Sequence, residues 1–375
     1  MMKKRGLAAI GTGAMLIASL VIVAQASADQ FAHPAFLRVW DRTDSLVADG
    51  TVSRTWFWGP QPNEPRLEPW AQARNGQRLV QYFDKSRMEL NDPLADPNNP
   101  FYVTNGLLTV ELISGQMQVG EAQFEDRYPA YIPMSGDPGD TTTPTYAAFQ
   151  GVSNTNRGNH YANDMRGQKP TATINRDGGV GDDPSKASMP NTEIAYYDGT
   201  THHNIPKAFW DFLNQIGKVR ENGQIITAPL ISPWFYASGL PISEAYWTKS
   251  LVRGQLTDVL IQAFERRVLT YTPSNSAGFQ VEMGNIGQHY YNWRYKYQGQ
   301  PPPGTGTPWV TPTPNLTPSV IPTAVGGTPG PSMTPAASPT AVQGTATIEP
   351  TVTPTLSPCL ECRTPTVIPT PTSTP

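Results

Sequence analysis

The chain has 375 residues, with 27 Lys and Arg against 30 Asp and Glu and a formal net charge of −3. No basic patch or arginine-rich run offers the electrostatic footprint that nucleic acid requires. Both cysteines, Cys359 and Cys362, lie near the C-terminus, so the preceding residues must be held together by packing without disulfides.

The N-terminus reads as a secretory signal. Met1-Met2-Lys3-Lys4-Arg5 is a basic start, an apolar stretch runs from Leu7 to Val23, and Ala26-Ser27-Ala28 supplies the small-x-small cleavage pattern. The competing reading is a retained membrane anchor. A span needs about 20 strongly apolar residues, whereas this stretch is interrupted by Gly11, Thr12, Gly13 and Ser19. Residues 1–28 are therefore expected to be removed after Ala28. No second apolar stretch is long enough to thread a membrane after cleavage.

The first helix is expected over Phe36, Val39, Trp40, Thr43 and Val47, which recur at three- and four-residue steps before Asp49-Gly50 stops the run. Aromatic strand segments follow. Arg78 to Phe83 and Arg87 to Leu90 read as a hairpin about the tight turn Asp84-Lys85-Ser86. Residues 137–201 are rich in Gly, Asp, Asn and Pro and read as long loops, with one strand pair expected between Thr171–Ile174 and Ile194–Tyr197. A second helix is expected from Asn204 as cap and Pro206 in the first turn, with Phe209, Phe212, Leu213 and Ile216 as its apolar stripe and Gly217 as its stop. A second hairpin is expected at Val259–Phe264 and Val268–Tyr271. From Pro301 onward, 19 of the 39 prolines alternate with Thr and Ser, and only Glu349, Glu361 and Arg363 are charged. Proline removes backbone donors and fixes φ, so this tail is expected to be disordered, extended and polyproline-like, resembling an O-glycosylated stalk or spacer. Within it, Cys359 and Cys362 have CxxC spacing without the strand-helix junction of a redox site. A local or intermolecular disulfide is the simpler expectation.

The segments on either side of the loops repeat each other. Leu79-Val80-Gln81-Tyr82-Phe83-Asp84-Lys85 stands beside Leu260-Ile261-Gln262-Ala263-Phe264-Glu265-Arg266 with Leu, Gln and Phe identical in register. Gly76-Gln77 precedes the first copy and Gly254-Gln255 the second. Trp56-Phe57-Trp58-Gly59 lies upstream of one and Trp234-Phe235-Tyr236 upstream of the other, while Val103 with Gly106 and Val281 with Gly284 follow. The expected fold class is α+β and β-rich: two related units, residues 29–136 and 202–297, each of one helix plus short antiparallel strands. A loop-rich insertion at 137–201 separates them, and a tail at 298–375 closes the chain.

The second unit carries Gly239-Leu240-Pro241-Ile242-Ser243-Glu244, then Gln262-Ala263-Phe264-Glu265-Arg266, then Val281-Glu282-Met283-Gly284-Asn285-Ile286-Gly287. This order resembles the LGFP repeats of bacterial cell-wall proteins over about fifty residues, with a Gly-x-Pro turn, a Gln-x-Phe strand and a closing glycine. The first unit departs from it, with Gly59-Pro60 and no Ile-Ser-Glu. The whole layout is similar to a group of secreted bacterial proteins with two Gln-x-Phe-acid-base units and a Pro/Thr-rich tail. The resemblance implies a wall-associated binding or spacing role and supplies no catalytic residues.

Chemistry-bearing clusters are sparse. Adjacent His202 and His203 point to different faces on either a strand or a helix, so support of the helix start outweighs a metal role. Asp177-Gly178-Gly179-Val180-Gly181-Asp182-Asp183 is acidic and flexible but lacks EF-hand spacing, so a solvated turn is expected there. Glu89, Glu111, Glu265 and Glu282 include the acids from which a glycoside-hydrolase pair would have to come. Glu265 and its counterpart Asp84 recur in both units, which suits a fold role beside Arg266 and Lys85. Gly-x-Ser-x-Gly, His-Glu-x-x-His and the phosphate-binding Gly-x-x-x-x-Gly-Lys are all missing from the sequence. No catalytic residue, metal ligand or cofactor is assigned. Aromatic residues on strands and loops suit stacking on sugar faces. Trp234, Tyr236, Trp247, Tyr291 and Trp293 are the candidate ligand-binding residues, with Gln288–Tyr295 expected to leave rings exposed. The sequence therefore favours a secreted, non-catalytic cell-envelope module that binds wall polysaccharide or another envelope component. A carboxylate-dependent glycan hydrolase and a purely structural surface protein are the alternatives.

Overall fold

The computed structural model describes residues 30–155 and 158–298. The expected signal segment 1–28 and the expected disordered tail, from residue 299 on, lie outside the described residues. The fold is mixed α+β and strand-rich, built mainly from antiparallel sheets.

Helix α1 (Pro34–Thr43) starts where His33 Nδ1 accepts the Ala35 amide at 3.1 Å. A short turn of helix, α2 (Ser45–Ala48), follows and the chain leaves it through Gly50. Asp44, between the two, accepts the backbone N–H groups of Phe57, Trp58 and Gly59. That one carboxylate fixes the Trp56–Gly59 segment against the helix. The chain then forms an antiparallel meander of β1 (Pro62–Pro69), β2 (Gln77–Phe83), β3 (Ser86–Leu90) and β4 (Thr104–Asn105). Helix α3 (Leu108–Ser114) and the hairpin β5 (Gln116–Gly120) and β6 (Gln123–Asp126) follow.

The middle of the chain holds a 3-10 turn at Ala147–Gly151, the hairpin β7 (Ala172–Ile174) and β8 (Val180–Asp182), and β9 (Ile194–Asp198) paired with β10 (His203–Pro206). This corrects the expected pairing of Thr171–Ile174 with Ile194–Tyr197. Each strand instead takes the neighbour that its own turn delivers: Asn175 Oδ1 accepts the Asp177 and Gly179 amides in one turn, and Asp198 Oδ1 accepts those of Thr200 and Thr201 in the other.

Helix α4 (Lys207–Leu213) buries Phe209, Phe212 and Leu213 as expected. Its cap and stop differ from expectation. Pro206 occupies the cap position, while Asn204 is buried in β10 with its amide shared between Asn163 O and Glu244. Ile216 is 71% exposed and Gly217 sits in β11 (Ile216–Glu221), because the helix ends at Asn214. A tight turn at Asn222-Gly223, both at positive φ, folds β11 onto β12 (Gln224–Pro229). After α5 (Phe235–Ser238) comes a second antiparallel meander, β13 (Tyr246–Val252), β14 (Gln255–Ala263), β15 (Val268–Tyr271) and β16 (Val281–Met283). Strands β7 and β8 extend this sheet on its β13 side, β7 running parallel to β13. Helix α6 (Ile286–Tyr291) runs into a π-turn at Asn292–Lys296.

The two strands with the shared Gln-x-Phe pattern feed two apolar clusters, because side chains alternate along a strand. Leu260 and Phe264 join α1, α4, Phe57 and Trp58 in one cluster; Ile261 and Ala263 join residues of α3 and α6 in the other. On β2, Phe83 enters the first cluster while Val80 and Tyr82 enter the second. Each closing helix meets the turn of the other sheet. The Thr109 and Val110 amides of α3 donate to Glu265 O, and the Gln288 amide of α6 donates to Asp84 O.

Candidate functional site

The acids suggested for hydrolysis do not converge on a cavity. Glu89 and Glu111 belong to a buried ionic network around Arg87, which is fully enclosed. Arg87 donates to Glu68 Oε2 at 3.0 Å and to Glu89 Oε1 at 2.9 Å, Arg78 holds Glu89 Oε2 at 3.0 Å, and Arg294 holds Glu68 Oε2 at 3.0 Å. Tyr82 and Tyr295 donate to Glu68, and Tyr290 donates to Glu111. Burial alone would raise the Glu68 carboxyl, but Arg87, Arg294 and Arg78 hold it down at about 2. Burial raises Glu111 against the pull of Arg87, the Tyr290 hydrogen bond and Arg294. Glu68, Glu89 and Glu111 are all buried and engaged by arginine or tyrosine side chains beneath α6, whereas acid-base hydrolysis needs two carboxylates that face a sugar between them. Glu265 Oε2 accepts the Leu240 amide at 2.9 Å, which ties the Gly-x-Pro segment to the β14–β15 turn.

The histidines serve the fold too. His203 is buried with Nδ1 3.0 Å from Glu244 Oε1, and His202 Nδ1 lies 2.9 Å from the Tyr197 hydroxyl. Among the described residues no group of three His, Cys, Asp or Glu side chains is placed to hold a metal ion.

Of the five nominated aromatic residues, three are buried, which corrects the expectation that they stack on a ligand from the surface. Tyr236 donates to Val103 O at 2.7 Å, the Trp247 indole to Pro170 O at 2.9 Å, and the Trp293 indole to Tyr128 O at 2.8 Å. In each case the ring's polar tip finds a backbone carbonyl, so the whole side chain can leave water. The Gln288–Tyr295 stretch folds back across β2 and β3, which encloses Tyr290 and Trp293. Trp234 is half-buried, edge-on to the stacked pair Tyr196 and Trp210.

Tyr291 is the nominee that lines an open groove. The groove has a volume of about 370 Å³ and lies between the start of β1, the end of β2 and α6. Tyr82 and Tyr291 form part of its wall, and Asn63, Glu64, Gln288 and Asn292 bring carboxamide and carboxylate groups to it, with Lys296 at the exposed end. The Tyr291 hydroxyl donates to Glu64 Oε2 at 2.9 Å and receives Arg66 Nη2 at 2.7 Å. Arg66 also lies 4.4 Å from the centre of the Tyr295 ring, so the wall is held from behind by a cation–π contact. The remaining polar residues of this groove were not legible from sequence. Asn63 and Glu64 come from the other end of the chain, and only the folding of α6 across β2 brings them to Tyr291.

A second groove, of about 500 Å³, runs between the β7–β8 hairpin and the face of β13 and β14. Trp247 contributes to its lining, beneath Lys186. The chain matches no protein-family model, no curated protein and no solved structure.

Proposed function

We propose that this protein is a non-catalytic module of the bacterial cell envelope, exported by its N-terminal segment, that binds wall glycan in the Tyr291 groove. The observation that carries the reading is the composition of that groove: the half-buried Tyr291 ring in the wall, with the buried Tyr82 behind it and amide, carboxylate and ammonium groups around them. Tyrosine supplies an apolar face for a pyranose ring, and the polar groups match its hydroxyls in both donor and acceptor roles.

We further propose that the chain is duplicated, in line with the resemblance to cell-wall repeats. Support comes from ladder register: Arg66 faces Val80 one residue before Gln81, and Tyr246 faces Ile261 one residue before Gln262. Gln81 Nε2 donating to Asn63 O and Gln262 Nε2 donating to Ser243 O then match Asn63 with Ser243. Beside Ser243 the chain covers its own surface. Ser153 bridges Ser243, the Asn154 amide donates to Ile242 O at 2.6 Å, and Phe149 stands edge-on to Tyr246. Beside Asn63 the corresponding space is the open groove, and its α6 wall carries Gln288 and Tyr291 where α3 carries Val110 and Ile113. A polar wall in an unfilled site favours a hydroxylated ligand over an apolar chain segment.

The test is retention of the full chain on insoluble peptidoglycan and on a panel of insoluble polysaccharides, with sugars assayed in the supernatant. Binding without release is expected, and Tyr291→Ala together with Asn292→Ala should reduce the bound fraction on the order of tenfold or more, as loss of a stacking face and a hydrogen bond implies. Soluble fragments in the supernatant, or retention unchanged by both substitutions, would refute the reading.

A further inference from the structure

The second groove holds an unusual charge arrangement. Lys186, on the 3-10 turn Pro184–Ser188, is buried, and its ammonium lies 3.0 Å from Asp258 Oδ1 and 3.3 Å from Asp183 Oδ2. The same Asp258 oxygen takes Lys249 at 2.8 Å. The result is a row, Asp183, Lys186, Asp258, Lys249, of alternating sign along one wall of the groove. Hydroxyls of Thr173 and Thr248 and the Asn175 amide add further polar groups. The indole of Trp247 lies under the Lys186 ammonium, 5.8 Å from ring centre to nitrogen, and Val180 exposes an apolar side chain at the rim.

This pattern selects a ligand class. A metal ion would have to displace ammonium groups already seated on both carboxylates. An anion would meet those two carboxylates, and a cation the two lysines, so either pays a desolvation cost without net attraction. A neutral polyol meets no such conflict. Each hydroxyl donates to a carboxylate oxygen and accepts from an ammonium, and alternating acid and base suits vicinal hydroxyls on a ring. We infer that the groove between the β7–β8 hairpin and β13–β14 is a second saccharide site, for an uncharged sugar, separate from the Tyr291 groove. Its ligand class extends the glycan reading given above; its geometry is independent of the first groove. Two sites on one chain would also raise retention on a polymer by holding it at a second point once the first is engaged.

The experiment is titration calorimetry of the full chain with soluble, uncharged hexasaccharides: β-1,4-linked glucose, β-1,4-linked N-acetylglucosamine and α-1,6-linked mannose. Two ligands per chain are expected with at least one of them. Asp258→Asn should leave one, and Lys249→Ala, which changes an exposed side chain, should weaken the same site on the order of tenfold. Circular dichroism of both variants separates loss of site from loss of fold. Tyr291→Ala should leave one ligand bound, lost in turn by adding Asp258→Asn. Stoichiometry and affinity unchanged by Asp258→Asn and Lys249→Ala would overturn this inference and leave the first groove standing. Binding insensitive to Tyr291→Ala but lost with Asp258→Asn would do the reverse. No heat with any sugar would overturn both.

Discussion

Gln81 and Gln262 make the same pair of hydrogen bonds at opposite ends of the chain. Each is fully buried in the middle strand of a meander. Gln81 Nε2 donates to Gln30 O at 2.8 Å and to Asn63 O at 3.1 Å. Gln262 Nε2 donates to Asn204 O and to Ser243 O, both at 2.8 Å. In both places one amide joins the segment that leads into a helix to the segment that leads into the first strand of the sheet. Replacing either with Leu leaves two backbone carbonyls without that donor in a dry site. Gln262→Leu and Gln81→Leu should each cost about 2 kcal/mol or more, read as a lower urea midpoint at unchanged m-value.

Arg87 should be the most sensitive ionic residue. It touches Glu68 and Glu89 and lies 3.7 Å from Glu111. A neutral side chain of similar length, in Arg87→Met, leaves three buried carboxylates facing only Arg78 and Arg294. Breaking a buried ion pair from one side costs about 3–5 kcal/mol, so this variant should be largely unfolded or strongly destabilised by circular dichroism. Adding Glu68→Gln and Glu89→Gln should recover part of the loss.

Acid should destabilise the fold in two stages. The His289 ring, next to the Tyr146 hydroxyl, is pushed down to about 4 by removal from water and then by the Lys85 charge. Its unfolded value is higher, so the unfolded chain takes the proton first. Its contribution is full above about pH 6.5 and is lost as pH falls towards 4. Glu68, held at about 2, contributes fully above its unfolded value near 4.5 and is lost below that. His289→Gln keeps a partner for Tyr146 and should remove the first stage. The stability difference from wild type should shrink as pH drops from 7 to 4 in urea titrations.

Local signals in the sequence carried the strands well and the candidate ligand surface poorly. The two Gln-x-Phe hairpins were legible because an apolar, aromatic-rich run, only imperfectly alternating, and a tight polar turn are encoded within a dozen residues. The end of α4 was misread because Ile216 continues a helical stripe, whereas Asn222-Gly223 dictates a hairpin that claims it. Trp247 and Trp293 looked like exposed stacking residues. Their burial depends on Pro170 and Tyr128, far away in sequence, offering carbonyls to the indoles. The Tyr291 groove was half legible: the sequence points to its ring, but Asn63 and Glu64 reach it only through long-range packing.

Among the described residues strand β1 is the edge of its sheet, and its prolines interrupt the donors it would offer to a further strand. Leu67 faces Leu79 two residues before Gln81, as Trp247 faces Leu260 two residues before Gln262. Trp247 is 1% exposed because β7 pairs along β13, while Leu67 is 64% exposed. Pro65 and Pro69 share strand parity with Leu67, so the outward row of donors is broken on both sides of it. Pro65→Thr with Pro69→Thr should restore a pairing edge next to an exposed leucine. Concentration-dependent self-association by light scattering is the expected outcome, with the Leu67→Lys addition suppressing it.

Gly287 sets how closely α6 approaches the first sheet. A Cβ there would collide with the carbonyl oxygens of Phe83 and Ser86 and stand 2.6 Å from the Ser86 nitrogen. These are backbone atoms of the β2–β3 turn, so no side-chain rotation relieves the clash. The helix must move outward, and with it Gln288, Tyr291 and Asn292 on the groove wall. Gly287→Ala should therefore cost about 2–3 kcal/mol, as overpacking against backbone does, and should also weaken glycan retention. Gly151→Ala is the matched control: no atom lies within 4 Å of its Cβ position, so its stability should stay within about 0.5 kcal/mol of wild type. If Gly287→Ala behaves like that control in a urea titration, α6 is not held against the turn as closely as the Gln288 amide to Asp84 O contact implies.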